Sequence, residues 1–155
     1  MHLAQRDVAF VAVSRAPIDT IEAFKKRLGW KFHWVSSYGS DFNYDYHVSF
    51  TPEEMAQGKV DYNYDGTNFP SAEAPGISVF YRDKEGGIFH TYSAFARGTE
   101  SQVNTYNYLD LVPKGRDEEG LAFPMSWVRH HDRYESGELA DQDRPYWPVE
   151  SLLPR

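Results

Sequence analysis

The chain has 155 residues, 41% hydrophobic and 16% aromatic, with 11 Tyr, 10 Phe and 4 Trp. That composition suits one domain with a sizeable core and argues against disorder. A formal net charge of -7 excludes nucleic acid and anionic lipid as expected partners, and the absence of cysteine excludes disulfides, zinc–thiolate sites and thiol nucleophiles within these residues.

In chain order, Val8 to Val13 is a continuous apolar, β-branched run. It reads as a central strand buried on both faces of an α/β sheet. It is too short for a signal-peptide core, and no apolar run approaches the roughly 20 residues of a bilayer span, so a cytoplasmic location is the default expectation. After Ser14 to Pro17, the residues Ile18, Ile21, Phe24 and Leu28 recur at helical spacing. Asp19 and Glu22 have capping-box spacing, Pro17 is an alternative first helical position, and Gly29 stands where a left-handed cap is wanted. The cluster Lys25-Lys26-Arg27 suits the last turn, at the negative end of the helix dipole. Lys31 to Val35 then reads as a second strand, parallel to the first, with Phe32 and Trp34 on one face.

Residues 38–75 form a long insertion broken by Pro52, Gly58, Gly66 and Pro70. The expectation there is an extended piece near Phe42 to Phe50 and a helical turn at Pro52 to Ala56. Gly76 to Arg82 and Ile88 to Phe95 read as a β-hairpin whose turn glycines supply positive φ. Thr99 and Gln102 suggest a capping box before a helix over Glu100 to Leu111. From Lys114 onward Gly, Pro and acidic residues are frequent, and the end of the chain lacks periodicity.

Several strings carry a family resemblance: Val11 to Pro17, Trp34 to Phe50, Tyr81 to Asp83, Thr105 to Asp110 and Trp127 to Tyr134. Together they resemble the bacterial family named domain of unknown function 899, over about residues 2–134. The family is described as thioredoxin-like and as predicted dithiol-disulfide oxidoreductases. Its typical members carry, upstream of the part that matches Met1, a strand, a Cys-x-x-Cys turn and the helix that follows. The resemblance therefore implies an α/β, thioredoxin-like three-layer fold, N-terminally truncated, with a central mixed sheet. The expected organisation is a domain over 1–134 and an extended C-terminal arm over 135–155. Loss of a neighbouring strand would leave a sheet edge and face uncovered, which predicts marginal stability or a homo-oligomer.

The resemblance also places Pro75 at the position of the thioredoxin-fold cis-proline, so a cis bond is the expectation there, the alternative being an ordinary trans proline at a strand start. If residues 41–47 are extended, Asp41, Asn43, Asp45 and His47 share one face. They could then hold a divalent ion or work as a general base beside His47; alternatively the carboxylates satisfy backbone donors in a half-exposed strand. An EF-hand is excluded by Tyr46 and Pro52 at the positions that need Gly and Glu. His130 and His131, with Asp132 between Arg129 and Arg133, offer a ligand, a proton shuttle or a structural cluster tying the arm to the domain. Ser14 and Arg15 lie at the carboxyl end of the first strand, where open α/β sheets place ligands, or else in a simple loop.

No nucleotide-binding, zinc-protease or serine-hydrolase string is present, so no cofactor is implied. Three functions remain. The first is a thioredoxin-like protein inactive in thiol exchange. The second is a non-catalytic module binding a protein, a small molecule or its own copy, and the third is a metal-dependent enzyme using Asp41, Asp45 and His47.

Overall fold

The computed structural model describes residues 2–134. It is a mixed α/β arrangement of helices and small sheets, each sheet two-stranded among the described residues. The expected arm over 135–155 lies outside the described residues.

β1 (Val11–Ser14) pairs in parallel with β2 (His33–Ser36), matching Val11 to His33 and Ser14 to Ser36. The crossover is α1 (Ile18–Leu28), as periodicity predicts. Gly29 ends the helix at φ 66, and the Gly29 and Trp30 amides donate to the Lys26 and Lys25 carbonyls. This is the Schellman pattern, which needs a residue tolerant of positive φ. The helix start differs from expectation. Pro17 occupies the cap in extended backbone, its carbonyl accepting from Thr20 and Ile21, so Asp19 falls inside the first turn and no side chain caps.

α1 covers one face of the pair through Ile21, Leu28 and Phe24, with the Phe24 ring 5.8 Å from that of Trp34. Val11, Val13 and Val35 project to the other face and are exposed. The expected strand buried on both faces is thus corrected: β1 begins three residues later than Val8, and on that side Val11, Val13 and Val35 remain 37–47% exposed. Locally there are two layers, not three.

The insertion holds the main core. Phe50, Val60, Tyr62 and Phe95 form a buried cluster flanked by Val48, Met55, Phe69 and Ala74, each fully buried large side chain stabilising by about 1.5–3 kcal/mol. α2 (Phe42–Asp45) is a single helical turn where an extended segment was expected. α3 (Pro52–Ala56) forms as expected, with a complete capping box between Thr51 and Glu54. β3 (Val60–Tyr62) and β4 (Asp65–Thr67) form an unanticipated hairpin whose turn residues Asn63 and Tyr64 have φ of 58 and 61. Positive φ at both central residues is the geometry that matches strand twist.

β5 (Gly76–Arg82) and β6 (Ile88–Phe95) form the predicted antiparallel hairpin, with a register shift at Val79/Phe80. Asp83 Oδ1 organises its turn by accepting from the Glu85 and Gly87 amides at 3.0 and 2.7 Å, and Gly86 supplies φ 91. Gly76 permits close packing, since a Cβ there would lie 2.8 Å from Val48 Cγ1. The helix expected over Glu100 to Leu111 is split into a 3-10 segment (Ala96–Gln102) and α4 (Asn104–Leu109), because Val103 at φ -92, ψ 76 leaves helical backbone. Thr99 does not cap; its hydroxyl donates to the Ala96 carbonyl.

The single central mixed sheet is also corrected. Among the described residues β1–β2 and β5–β6 share no ladder. Side chains of the insertion bridge them instead: Tyr44 meets Arg15 just past β1, and Tyr46 meets Phe80 and His90 at 5.8 and 5.5 Å. No described helix is long and apolar enough to cross a membrane.

Candidate functional site

The carboxyl ends of β1 and β2 gather polar side chains. Ser14 Oγ accepts from Trp34 Nε1 at 3.0 Å, Ser36 Oγ donates to the Ala16 carbonyl, and the Ser37 amide donates to the Ser14 carbonyl. Ser37 Oγ donates at 2.7 Å to Asn43 Oδ1, and both residues are buried. These bonds hold the connection after β2 against the end of β1.

Arg15 projects from this rim. Its guanidinium stacks 4.5 Å above the Tyr44 ring, and Nη1 donates to Glu73 Oε1 at 3.0 Å. Glu73 Oε2 accepts in turn from the buried Ser49 hydroxyl. Arg15 Nε is sealed from solvent without an acceptor among the described residues. A planar guanidinium held by a ring and a single carboxylate oxygen retains donors for an anionic or carbonyl group. Chemically the cluster can bind and orient such a group. It contains no thiol.

The structure divides the other candidates. Residues 42–45 are a helical turn and His47 lies beyond it in left-handed backbone, so the strand alternation that would have put Asp41, Asn43, Asp45 and His47 on one face is absent, and Asn43 is turned away from its neighbours two residues off. Asn43 turns inward to Ser37, while His47, at φ 51, brings Nδ1 to 3.3 Å from Asp61 Oδ2 at the surface. No three His, Asp or Glu side chains are grouped to hold a metal ion among the described residues. Pro75 follows Glu73 by two residues, but its peptide bond is trans, against the cis expectation. It opens β5, and its carbonyl accepts from the Tyr62 hydroxyl at 2.8 Å.

His130 and His131 lie elsewhere, against the end of α1. His130 Nδ1 accepts from Arg27 at 3.2 Å and its ring packs edge-on to Phe24, while His131 Nε2 donates to the Leu28 carbonyl at 3.3 Å. Arg27 also pairs with Asp132 at 3.0 Å. This is a structural clasp, one of the alternatives the sequence left open.

Sequence reasoning missed Glu73, Tyr44 and Ser49, whose partners are distant in the chain. It also missed a network around Glu118, which accepts from the Tyr106 hydroxyl, the Met125 amide and Trp127 Nε1. Those hydrogen bonds, that from Tyr106 foremost, hold the Glu118 carboxyl below its usual range. Burial, and then Glu118, push the Tyr106 hydroxyl up to about 12. Arg116 lies 4.3 Å over the Tyr106 ring and grips Asp110 in a bidentate pair, lowering the Asp110 pKa. The only sequence signal was the local density of Tyr, Trp and acidic residues between 106 and 127.

The fold and rim define the chain as a mixed α/β protein with a polar cluster at the carboxyl end of a parallel strand pair. It belongs to the family of bacterial proteins of unknown function DUF899, whose sequence model matches residues 1–134. No curated protein and no solved structure matches the chain.

Proposed function

We propose that this chain is a thioredoxin-like family protein that performs no thiol exchange and acts by binding. The carrying observation is the absence of cysteine from all 155 residues. Dithiol–disulfide exchange, the activity expected from the family resemblance, begins with thiolate attack on a disulfide sulfur, and no side chain here supplies a thiolate. Support for the scaffold comes from the element order: a parallel β1–α1–β2 unit, then the antiparallel β5–β6 hairpin entered at Pro75, then α4. The parallel unit and the hairpin do not share a ladder among the described residues, so this support rests on order and pairing alone.

Binding is assigned to the rim at Arg15, Tyr44 and Glu73, where a guanidinium is oriented and partly shielded. A small carboxylate or carbonyl compound fits the donors left on Arg15. We do not favour the metal-dependent alternative, because the shared face of Asp41, Asp45 and His47 presupposed an extended segment where residues 42–45 are helical, and no three His, Asp or Glu side chains are grouped to hold an ion among the described residues. Insulin reduction by dithiothreitol tests the thiol part: the chain should not accelerate precipitation above the blank, and acceleration would overturn the reading. Calorimetric titration with short carboxylates tests the binding part, with heat expected for the wild type and lost in Arg15→Ala.

A further inference from the structure

Arg15 and Glu73 are each held in place by groups other than one another. The guanidinium is stacked 4.5 Å over Tyr44, and its Nε is sealed from solvent. On the opposite side Ser49 and Glu73 form an antiparallel bridge, flanked by the Phe50 amide donating to the Ala72 carbonyl and the Ala74 amide donating to the Val48 carbonyl, both at 2.9 Å. The buried Ser49 hydroxyl donates to Glu73 Oε2. Each charge thus has its own anchor, and the two are preorganised side by side.

Neither charge exhausts the other. A guanidinium has five N–H donors and an ionised carboxylate about four acceptor positions. Here one donor on Nη1 meets Glu73 Oε1 at 3.0 Å, Oε2 takes the Ser49 hydroxyl, and no further side-chain bond reaches either head among the described residues. The two side chains are 26% and 48% exposed, so both remain open to a ligand.

We infer that this rim takes a free α-amino acid, with its carboxylate on Arg15 and its ammonium on Glu73. The inference rests on the binding reading above and narrows its ligand class. The Tyr44 ring occupies one face of the guanidinium and leaves its edge, where a carboxylate docks. A plain carboxylate placed there lies beside the Glu73 carboxylate, and the like charges repel. An ammonium on the adjoining carbon reverses that sign, and its donors meet the acceptor positions left on Oε1 and Oε2. An α-amino acid separates its two charged groups by a single carbon, which suits an arginine and a glutamate in contact at 3.0 Å. Having no net charge, it also escapes the repulsion that a chain of net charge -7 presents to a free anion.

Calorimetric titration of the full chain with glycine, acetate, N-acetylglycine and methylammonium tests this. Glycine should bind at least about tenfold more tightly than acetate or N-acetylglycine, which keep the carboxylate and lack the ammonium, and more tightly than methylammonium, which lacks the carboxylate. Glu73→Gln keeps the shape and removes the charge, so it should bring glycine down to the level of acetate without weakening acetate. If Glu73→Gln disturbs the far-UV circular dichroism, the comparison of glycine with N-acetylglycine on the wild type decides the matter, because it needs no variant. Acetate and N-acetylglycine binding as tightly as glycine overturns the amino-acid inference and leaves the carboxylate reading standing. Methylammonium matching glycine, or a glycine preference that survives a folded Glu73→Gln, overturns the inference as well, and heat from none of the four compounds overturns both.

Discussion

Arg15 and Glu73, 58 positions apart in the chain, meet at 3.0 Å and join the carboxyl end of β1 to the segment that leads into β5. The pair is partly exposed, so its ionic part contributes at most about 1 kcal/mol, and stacking on Tyr44 adds roughly 0.5–1 kcal/mol. Arg15→Ala should lower the urea midpoint by an amount corresponding to about 1 kcal/mol with an unchanged m-value. Arg15→Lys should recover only part of this, since an ammonium keeps the charge and loses the planar stack. Full recovery by lysine would show that the geometry at Tyr44 contributes nothing.

Tyr62 ties the core hairpin to the base of β5–β6, where both strands meet it, donating to the Pro75 carbonyl just before β5 and accepting from the Ala96 amide just after β6, each at 2.8 Å. Tyr62→Phe keeps the ring and removes both bonds. The expected loss is about 1–3 kcal/mol, because two backbone groups are left unpaired. Hydrogen exchange should report it locally, as faster exchange at the Ala96 amide.

Ser37 and Asn43 form a buried hydroxyl-to-amide bond at 2.7 Å that fixes α2 beside the end of β2. Asn43→Ala should destabilise by about 1–3 kcal/mol, leaving the Ser37 hydroxyl without its acceptor. Asn43→Ala with Ser37→Ala should cost less than the sum of the single changes, as a double-mutant cycle in urea would show.

The Glu118 network makes stability sensitive to pH on both sides. Glu118 and Asp110 have lowered pKa values in the fold, so the stability they confer is complete above the ordinary carboxylate range and is lost as pH falls through the lowered values. Tyr106 is raised to about 12, so its share is complete below the ordinary tyrosine value and is lost as pH rises toward 12. Thermal melts should show a plateau near neutrality, falling below about pH 4–5 and above about pH 10. Glu118→Gln should flatten the acid limb and Tyr106→Phe the alkaline limb; unchanged limbs would remove the network from the explanation.

Part of this architecture was legible in the residues. The α1 stripe with its Gly29 stop, the parallel second strand, the α3 turn and the β5–β6 hairpin each depend on signals a few residues long, and local backbone preference decides them. The extended reading of 42–50 failed because alternation of polar and aromatic residues also satisfies a single helical turn, and the choice went to the burial of Asn43 against Ser37. Ser14 and Arg15 were legible as candidates from their place at the end of a strand, whereas their contacts with Trp34, Tyr44 and Glu73 were not.

The sequence by itself determined that no thiol chemistry resides in these residues and that strand, helix and hairpin segments fall close to where they do. Tertiary structure alone decided that the insertion carries the core, that Pro75 is trans, that His130 and His131 clasp α1, and that Arg15 finds Glu73. The reason is range. Capping, periodicity and turn preference act within one or two helical turns, whereas the partners of a guanidinium, an imidazole or a buried ring come from segments brought together only when apolar surface leaves water.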